Sequence, residues 1–315
     1  MKNKKRISKK TSVVLAILLT IFSCKTEKKA ESKELVKQND PVIEIVTESM
    51  DFQMVDTISS DWHTFKYVNK SPDTHFFLFD KYPEGKSIKD TEHEVGPPFQ
   101  KGMDLINEGK PEEAFAAFGE LPAWFSEIVF TGGSGLVSPG VSNEITVNLE
   151  PGYYVVECYV KMPNGVFHTS MGMVKELIVT DEVSQKKIPE ANVNIEISST
   201  GGITFSDTVK KGKNVFSVHY LDQLPHENFV GHDVHLVKLA DNADHTILES
   251  WMNWATPKGL ISPAPEGFTF LGGLSEMPAG RTGYFSTSID SGTYAFVAEV
   301  PNAIQKNMFQ TFIIP

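Results

Sequence analysis

The stretch Gly152-Tyr-Tyr-Val-Val-Glu-Cys158-Tyr-Val-Lys-Met-Pro-Asn-Gly-Val-Phe-His168-Thr-Ser-Met171-Gly-Met173 decides how this chain is read. It follows a Pro-Gly turn and opens with a run of aromatic and β-branched residues, the pattern of a strand. A Cys ends that strand. A Pro-Asn-Gly loop comes next, then a His and a Met. Nine residues separate Cys158 from His168, and four separate His168 from Met173. Upstream, Thr74-His75-Phe-Phe-Leu-Phe79 reads as another strand, entered from the turn-prone Asn69-Lys-Ser-Pro-Asp73.

Working outward, the chain repeats itself, which is an argument for two domains. Phe130-Thr-Gly-Gly133 matches Phe270-Leu-Gly-Gly273 at an offset of 140 residues, and at the same offset Gly152, Tyr154 and Val160 match Gly292, Tyr294 and Val300. Farther upstream, Asp56-Thr57 and Phe65 resemble Asp207-Thr208 and Phe216, and His75-Phe-Phe-Leu-Phe79 resembles His235-Leu-Val-Lys-Leu239. These matches place one domain over 41–182 and a second over 188–315. Glu144-Ile-Thr-Val-Asn-Leu149 alternates as a half-buried strand does, and many short strands with turns between them argue for β-sandwiches. Each half carries an insertion before its Gly-Gly turn. Pro111-Glu-Glu-Ala-Phe-Ala-Ala-Phe118 opens as a helix does, and Ile247, Trp251 and Trp254 fall on one helical face.

The start of the chain gives an address. Six Lys/Arg lie in residues 1–10, and an apolar run follows from Ser12 to Ser23. That run is short for a bilayer span and suits a secretory signal peptide over 1–23. Ile21-Phe22-Ser23-Cys24 resembles the lipobox of bacterial lipoproteins. The resemblance implies a lipid on Cys24, a flexible tether over 24–40, and anchorage to a membrane of the bacterial cell envelope, with the outer membrane expected. Removing residues 1–23 takes six of the 29 basic residues and none of the 40 acids, leaving a formal charge of −17. So acidic a surface repels nucleic acid, and no nucleic-acid partner is expected.

The order of a distant His, then Cys, His and Met on one loop resembles the cupredoxins, the blue-copper proteins. The resemblance implies an all-β fold, two tandem Greek-key β-sandwiches each with a small helical insertion. It also implies one copper ion in the first domain, with His75, Cys158 and His168 as equatorial ligands and Met173 as the axial one. Sulfur ligands favour Cu(I) while imidazole tolerates both oxidation states, so such a site changes little on electron transfer. Met171 is a rival axial ligand. The nine-residue Cys–His gap is longer than in the small electron carriers and similar to the loop of copper nitrite reductases. The chain is also similar to a group of exported bacterial cupredoxin-like proteins whose long loop ends in Gly-Met. Cysteine usage agrees with a metal: with Cys24 lipidated, Cys158 is a lone exported thiol, which calls for either coordination or burial.

The second domain cannot repeat this chemistry. Ala298 stands at the Cys position, the loop is five residues shorter, and only Met308 and a His at 235 are expected to persist. The function expected is single-electron transfer or copper holding, with a redox or copper-delivery protein as partner. A copper-free interaction module of the envelope is an alternative, and a Cu(I) chaperone using Met162, Met171 and Met173 is a third. There is no Walker loop, Rossmann fingerprint, zinc-protease helix or paired His-x-His motif, so enzymatic turnover has the least support.

Overall fold

The computed structural model describes residues 41–206 and 208–315. The signal peptide, Cys24, the tether and Asp207 lie outside the described residues. The first half contains β1 (Ile43–Thr47), β2 (Thr57–Asn69), β3 (Leu78–Lys81), β4 (Val129–Gly133), β5 (Ser142–Leu149), β6 (Gly152–Glu157) and β7 (Val174–Val183). The second contains β8 (Val193–Ser198), β9 (Gly202–Phe205), β10 (Gly212–Tyr220), β11 (Val234–Leu239), β12 (Phe268–Leu274), β13 (Thr282–Ile289), β14 (Gly292–Val297) and β15 (Phe309–Ile314).

Strand order repeats between the halves. In the first, β1 runs parallel to β2, β2 pairs with β5, and the facing layer runs β4-β3-β6-β7. In the second, β8 runs parallel to β10, β10 pairs with β13, and the facing layer runs β12-β11-β14-β15. Each half is therefore a sandwich, and the chain is mainly β with two sandwiches in tandem, each with a helical insertion, as expected. Aromatic side chains fill the space between the layers. Phe65 on β2 meets Phe79 on β3 at 4.8 Å between ring centroids, and Phe216 on β10 meets Phe296 on β14 at 5.6 Å. The turn before β6 is locked by Tyr154, whose hydroxyl donates to the Glu150 carbonyl at 2.8 Å; Tyr294 does the same to Asp290 at 2.9 Å.

The halves are joined by hydrogen bonds. β5 pairs antiparallel with β13 through Tyr284–Thr146, Phe285–Ile145 and Ser286–Glu144, so one sheet runs across both.

The insertions sit where the repeat places them, between β3 and β4 and between β11 and β12. The helix Pro111–Phe118 forms as expected. A second helix, Gly96–Asn107, precedes it. In the other half the helix is His245–Met252, started by the Asp244 side chain accepting from the Thr246 N–H. Its buried face is Leu248, Trp251 and Met252, whereas Ile247 is exposed and Trp254 lies beyond the helix end. The expected Ile247–Trp251–Trp254 face is thus rotated, because the helix stops at Asn253 before a third turn.

Candidate metal centre

His75 is held before β3, not inside a strand. Its N–H donates to the Val137 carbonyl at 3.1 Å and its own carbonyl accepts from the Val137 N–H at 2.7 Å. Cys158 is the first residue past β6, and its N–H donates to the Met173 carbonyl at 3.3 Å. Between them the loop folds back as a small hairpin. Met162 N–H donates to Val166 O and Gly165 N–H to Met162 O, with Gly165 at φ 86°, a value that favours glycine. The His168 N–H then donates to the Val160 carbonyl at 2.8 Å, and the Met173 N–H to the His168 carbonyl at 3.0 Å. Strand end, hairpin and turn thus gather Cys158, His168 and Met173, and the bonds to Val137 hold the distant His75 beside them.

Three of the donor atoms converge. Cys158 Sγ lies 3.8 Å from His75 Nδ1 and 3.9 Å from His168 Nδ1, and the two Nδ1 atoms are 3.1 Å apart. All three residues are fully buried. The circle through these three atoms has a radius of about 2.1 Å, close to the length of a metal–imidazole or metal–thiolate bond. Burial lowers the His75 pKa to about 3, helped by neighbouring His168, and lowers that of His168 to about 4. Both imidazoles are therefore neutral and able to coordinate at neutral pH. Burial pushes the Cys158 thiol up to about 12, so without a cation the sulfur keeps its proton. One thiol and two neutral imidazoles around a gap of this size fit a soft or borderline cation. Met173 is fully buried beside Cys158, while Met171 is 51 % exposed.

The loop is clamped by the second half. Lys161, fully buried, donates through Nζ to the carbonyls of Trp254 (2.9 Å) and Thr256 (2.7 Å). Its backbone N–H donates to Leu260 O at 2.7 Å and its carbonyl accepts from Ser262 N–H at 2.8 Å. Trp254 also packs its ring 5.8 Å from Phe167 and 6.3 Å from Phe99 of the first insertion. No local pattern points to this role for Lys161, because a lone Lys in a Pro-Asn-Gly loop reads as solvated.

Strand register identifies what the second half has lost. Leu78 pairs with Glu157 and Lys81 with Tyr154; His235 pairs with Val297 and Lys238 with Tyr294. Since Tyr154 and Tyr294 correspond, His235 takes the place of Leu78, and the counterpart of His75 is His232. The expectation that paired His75 with His235 slips by three residues. Ala298 N–H donates to Met308 O at 2.9 Å and Met308 N–H to Ala303 O at 2.7 Å, the same two bonds that link Cys158, Met173 and His168. Cys158, His168 and Met173 therefore correspond to Ala298, Ala303 and Met308. Alanines stand where the first half has the Cys and one His, so the second half lacks two of the three converging donors.

Among the described residues a second group of metal-type side chains occurs, Asp233, His235 and Glu299, all buried. A signal for it was present: Glu299 is the one acid in the apolar run Ala295–Val300.

No family model matches the chain, and no curated protein matches it. Among solved structures it is similar to a dithionite-reduced auracyanin from the photosynthetic bacterium Roseiflexus castenholzii, at 22 % identity and a TM-score of 0.27, over 45 % of this chain and 99 % of that one. It is similar to auracyanin A, a "blue" copper protein of the green thermophilic photosynthetic bacterium Chloroflexus aurantiacus, at 19 % identity and a TM-score of 0.28, over 44 % and 98 % of the two chains. A copper nitrite reductase from Nitrosomonas europaea is similar at 12 % identity and a TM-score of 0.23, over 86 % of this chain and 93 % of that one. The fold assignment rests on the strand order and register described above.

Proposed function

We propose that the first half binds one copper ion and that the chain works in single-electron transfer at the bacterial cell envelope. His75, Cys158 and His168 would hold the ion, with the buried Met173 as a further, weaker sulfur donor. The observation that supports this most is the donor triangle, whose three sides of 3.1–3.9 Å suit one shared cation. The lipid on Cys24 would keep the sandwiches near a membrane, and a redox or copper-delivery protein would be the partner.

Copper, when bound, supplies a one-electron couple. The chain supplies the rest. Cys158 gives up its proton to coordinate, and the imidazoles, held neutral by burial, have none to lose at Nδ1 once each carries its proton on Nε2. The sandwich fixes His75 through Val137, and the second half fixes the loop through Lys161. A site held on both sides reorganises little, which suits rapid electron exchange. Full burial excludes water from the thiolate.

The test is a visible absorption spectrum of the metal-free chain after Cu(II) is added, beside the Cys158→Ser variant. An intense thiolate-to-copper charge-transfer band, present only with Cys158, is the expected result. A chain that stays colourless and retains no copper after desalting refutes the proposal.

A further inference from the structure

The trio in the second half has no part in that mechanism, yet it is built with care. Asp233 Oδ2 lies 2.6 Å from His235 Nε2, and Asp233 Oδ1 accepts from the Glu299 N–H at 2.7 Å. The Leu136 N–H donates to His235 Nδ1 at 2.9 Å. That bond fixes the tautomer. Nδ1 presents its lone pair, so Nε2 carries the hydrogen and donates it to Asp233. The Nε2 lone pair is then not free for a cation, and the trio is not a metal site as it stands.

Glu299 is the group left incomplete. Its Oε2 accepts from the Tyr159 hydroxyl at 3.2 Å, while its Oε1 is buried with no partner. The side chain belongs to a residue only 1 % exposed. A carboxylate with one bare oxygen, next to Asp233, is costly to keep charged; a proton on Oε1 removes that cost.

Two connections run from this trio to the metal centre. Tyr159, which bonds Glu299, follows Cys158 in the chain. Leu136, which bonds His235, precedes Val137, the residue that exchanges two backbone hydrogen bonds with His75. We propose that Glu299 is the proton-binding group of a proton-coupled electron transfer. This rests on the copper reading above. When the Cys158 site gains one electron from an outer-sphere one-electron donor, Glu299 Oε1 takes one proton from water. It returns that proton to water when the electron leaves. The charge of the region is then the same in both states, which matters where little water screens it.

The surroundings favour a proton that can come and go. Burial raises the affinity of Glu299 for a proton, and the charges of Asp233 and Glu276 raise it further, while the bond from Tyr159 and the positive Lys161 lower it. Asp233 is itself faced by Tyr220, His226 and His232. His232 is itself buried, with its Nδ1 3.2 Å from the Asp222 carbonyl and 3.4 Å from the Asp222 carboxylate.

The experiment is the reduction potential of the copper-loaded full chain between about pH 6 and pH 9, for wild type, Glu299→Gln and Asp233→Asn. Reduction that takes up a proton makes the potential fall as pH rises, approaching 59 mV for each tenfold drop in proton concentration. The wild type should show this fall and Glu299→Gln should be markedly shallower, keeping only what Lys161, Glu157 and Glu276 contribute in the same window. Asp233→Asn should move the fall to lower pH, because a negative neighbour is gone. The metal-free chain offers a second reading: the infrared carbonyl stretch of protonated carboxyl groups at neutral pH, which should lose one component in Glu299→Gln while that of Glu276 stays. Equal slopes in wild type and Glu299→Gln overturn the proposal. So does a second equivalent of Zn(II) or Cu(II) whose binding Glu299→Gln abolishes, since that makes the trio a metal site. A chain with no charge-transfer band fails at the copper reading, a separate failure visible in the absorption spectrum before any potential is measured.

Discussion

Replacing Lys161 by Met removes a buried charge and the two bonds that tie the ligand loop to the second half. Each hydrogen bond from a charged donor contributes about 1.5–3 kcal/mol, and each carbonyl left buried without a donor costs about 1–3 kcal/mol. Against this, the methionine spares the chain the desolvation of an ammonium group, a penalty of several kcal/mol. The carbonyls of Trp254 and Thr256 lose the Nζ donor 2.9 and 2.7 Å away, with a thioether in its place. A net loss of about 2–4 kcal/mol follows. At about 2–4 °C per kcal/mol for a chain of this size, thermal unfolding monitored by circular dichroism should shift down by roughly 5–15 °C. The pH dependence carries a sharper signature. Burial lowers the Lys161 pKa to about 8, while in the unfolded chain an ordinary lysine holds its proton to about pH 10.4. Between those values the unfolded chain holds a proton at position 161 that the folded chain has lost, so the Lys161 contribution to stability rises with pH in that window, against the opposing contribution of the buried Cys158 thiol. In Lys161→Met the slope of stability against pH should be lower than in the wild type there. An unchanged Tm together with an unchanged slope between about pH 8 and 10 refutes the account of Lys161 as a buried clamp.

The other predictions concern single groups. Tyr154→Phe removes the one hydroxyl bond to the Glu150 carbonyl and should lower stability by about 1 kcal/mol in urea unfolding, as should Tyr294→Phe at the equivalent turn. Burial raises the Glu276 pKa to about 8, well above the usual carboxylate value, so between about pH 4.5 and 8 the folded chain holds a proton that the unfolded chain has lost. Stability should therefore fall as pH rises through that window, and Glu276→Gln should reduce the fall by up to about 1 kcal/mol per pH unit, read from urea midpoints across pH. A fall of the same steepness in that variant counts against the buried acid.

Most of the fold is legible in the sequence because the repeat is. Tyr154 and Tyr294 sit at one offset, and so do the two Gly-Gly pairs; each lands at equivalent points of the two sandwiches, though the glycines expected in turns lie within strands β4 and β12. The candidate donors were equally plain, since a Cys at a strand end and a His and Met on one loop are local signals. What escaped is whatever depends on pairing. His75 and His235 head similar apolar runs, and such a run does not reveal a slip of three residues; only the partner strands fix the register. The helix Gly96–Asn107 begins with Gly-Pro-Pro, which hides a helix start among turn residues. The burial of Lys161 and the isolation of Glu299 Oε1 arise from contacts between the halves, which no local pattern records.

Ala298 and Ala303 imply a division of labour between two copies of one sandwich. The second copy serves as a wall of the first, supplying the Trp254 and Thr256 carbonyls that fix the loop of its sibling. Variation in the second copy should then tune a centre to which it contributes no donor. Altering the donor triangle is therefore as much a matter of residues near 254–262 as of the loop itself. The shared sheet through β5 and β13 also means that cutting the chain between the copies would strip the donors of their support, so the smallest working unit is the pair.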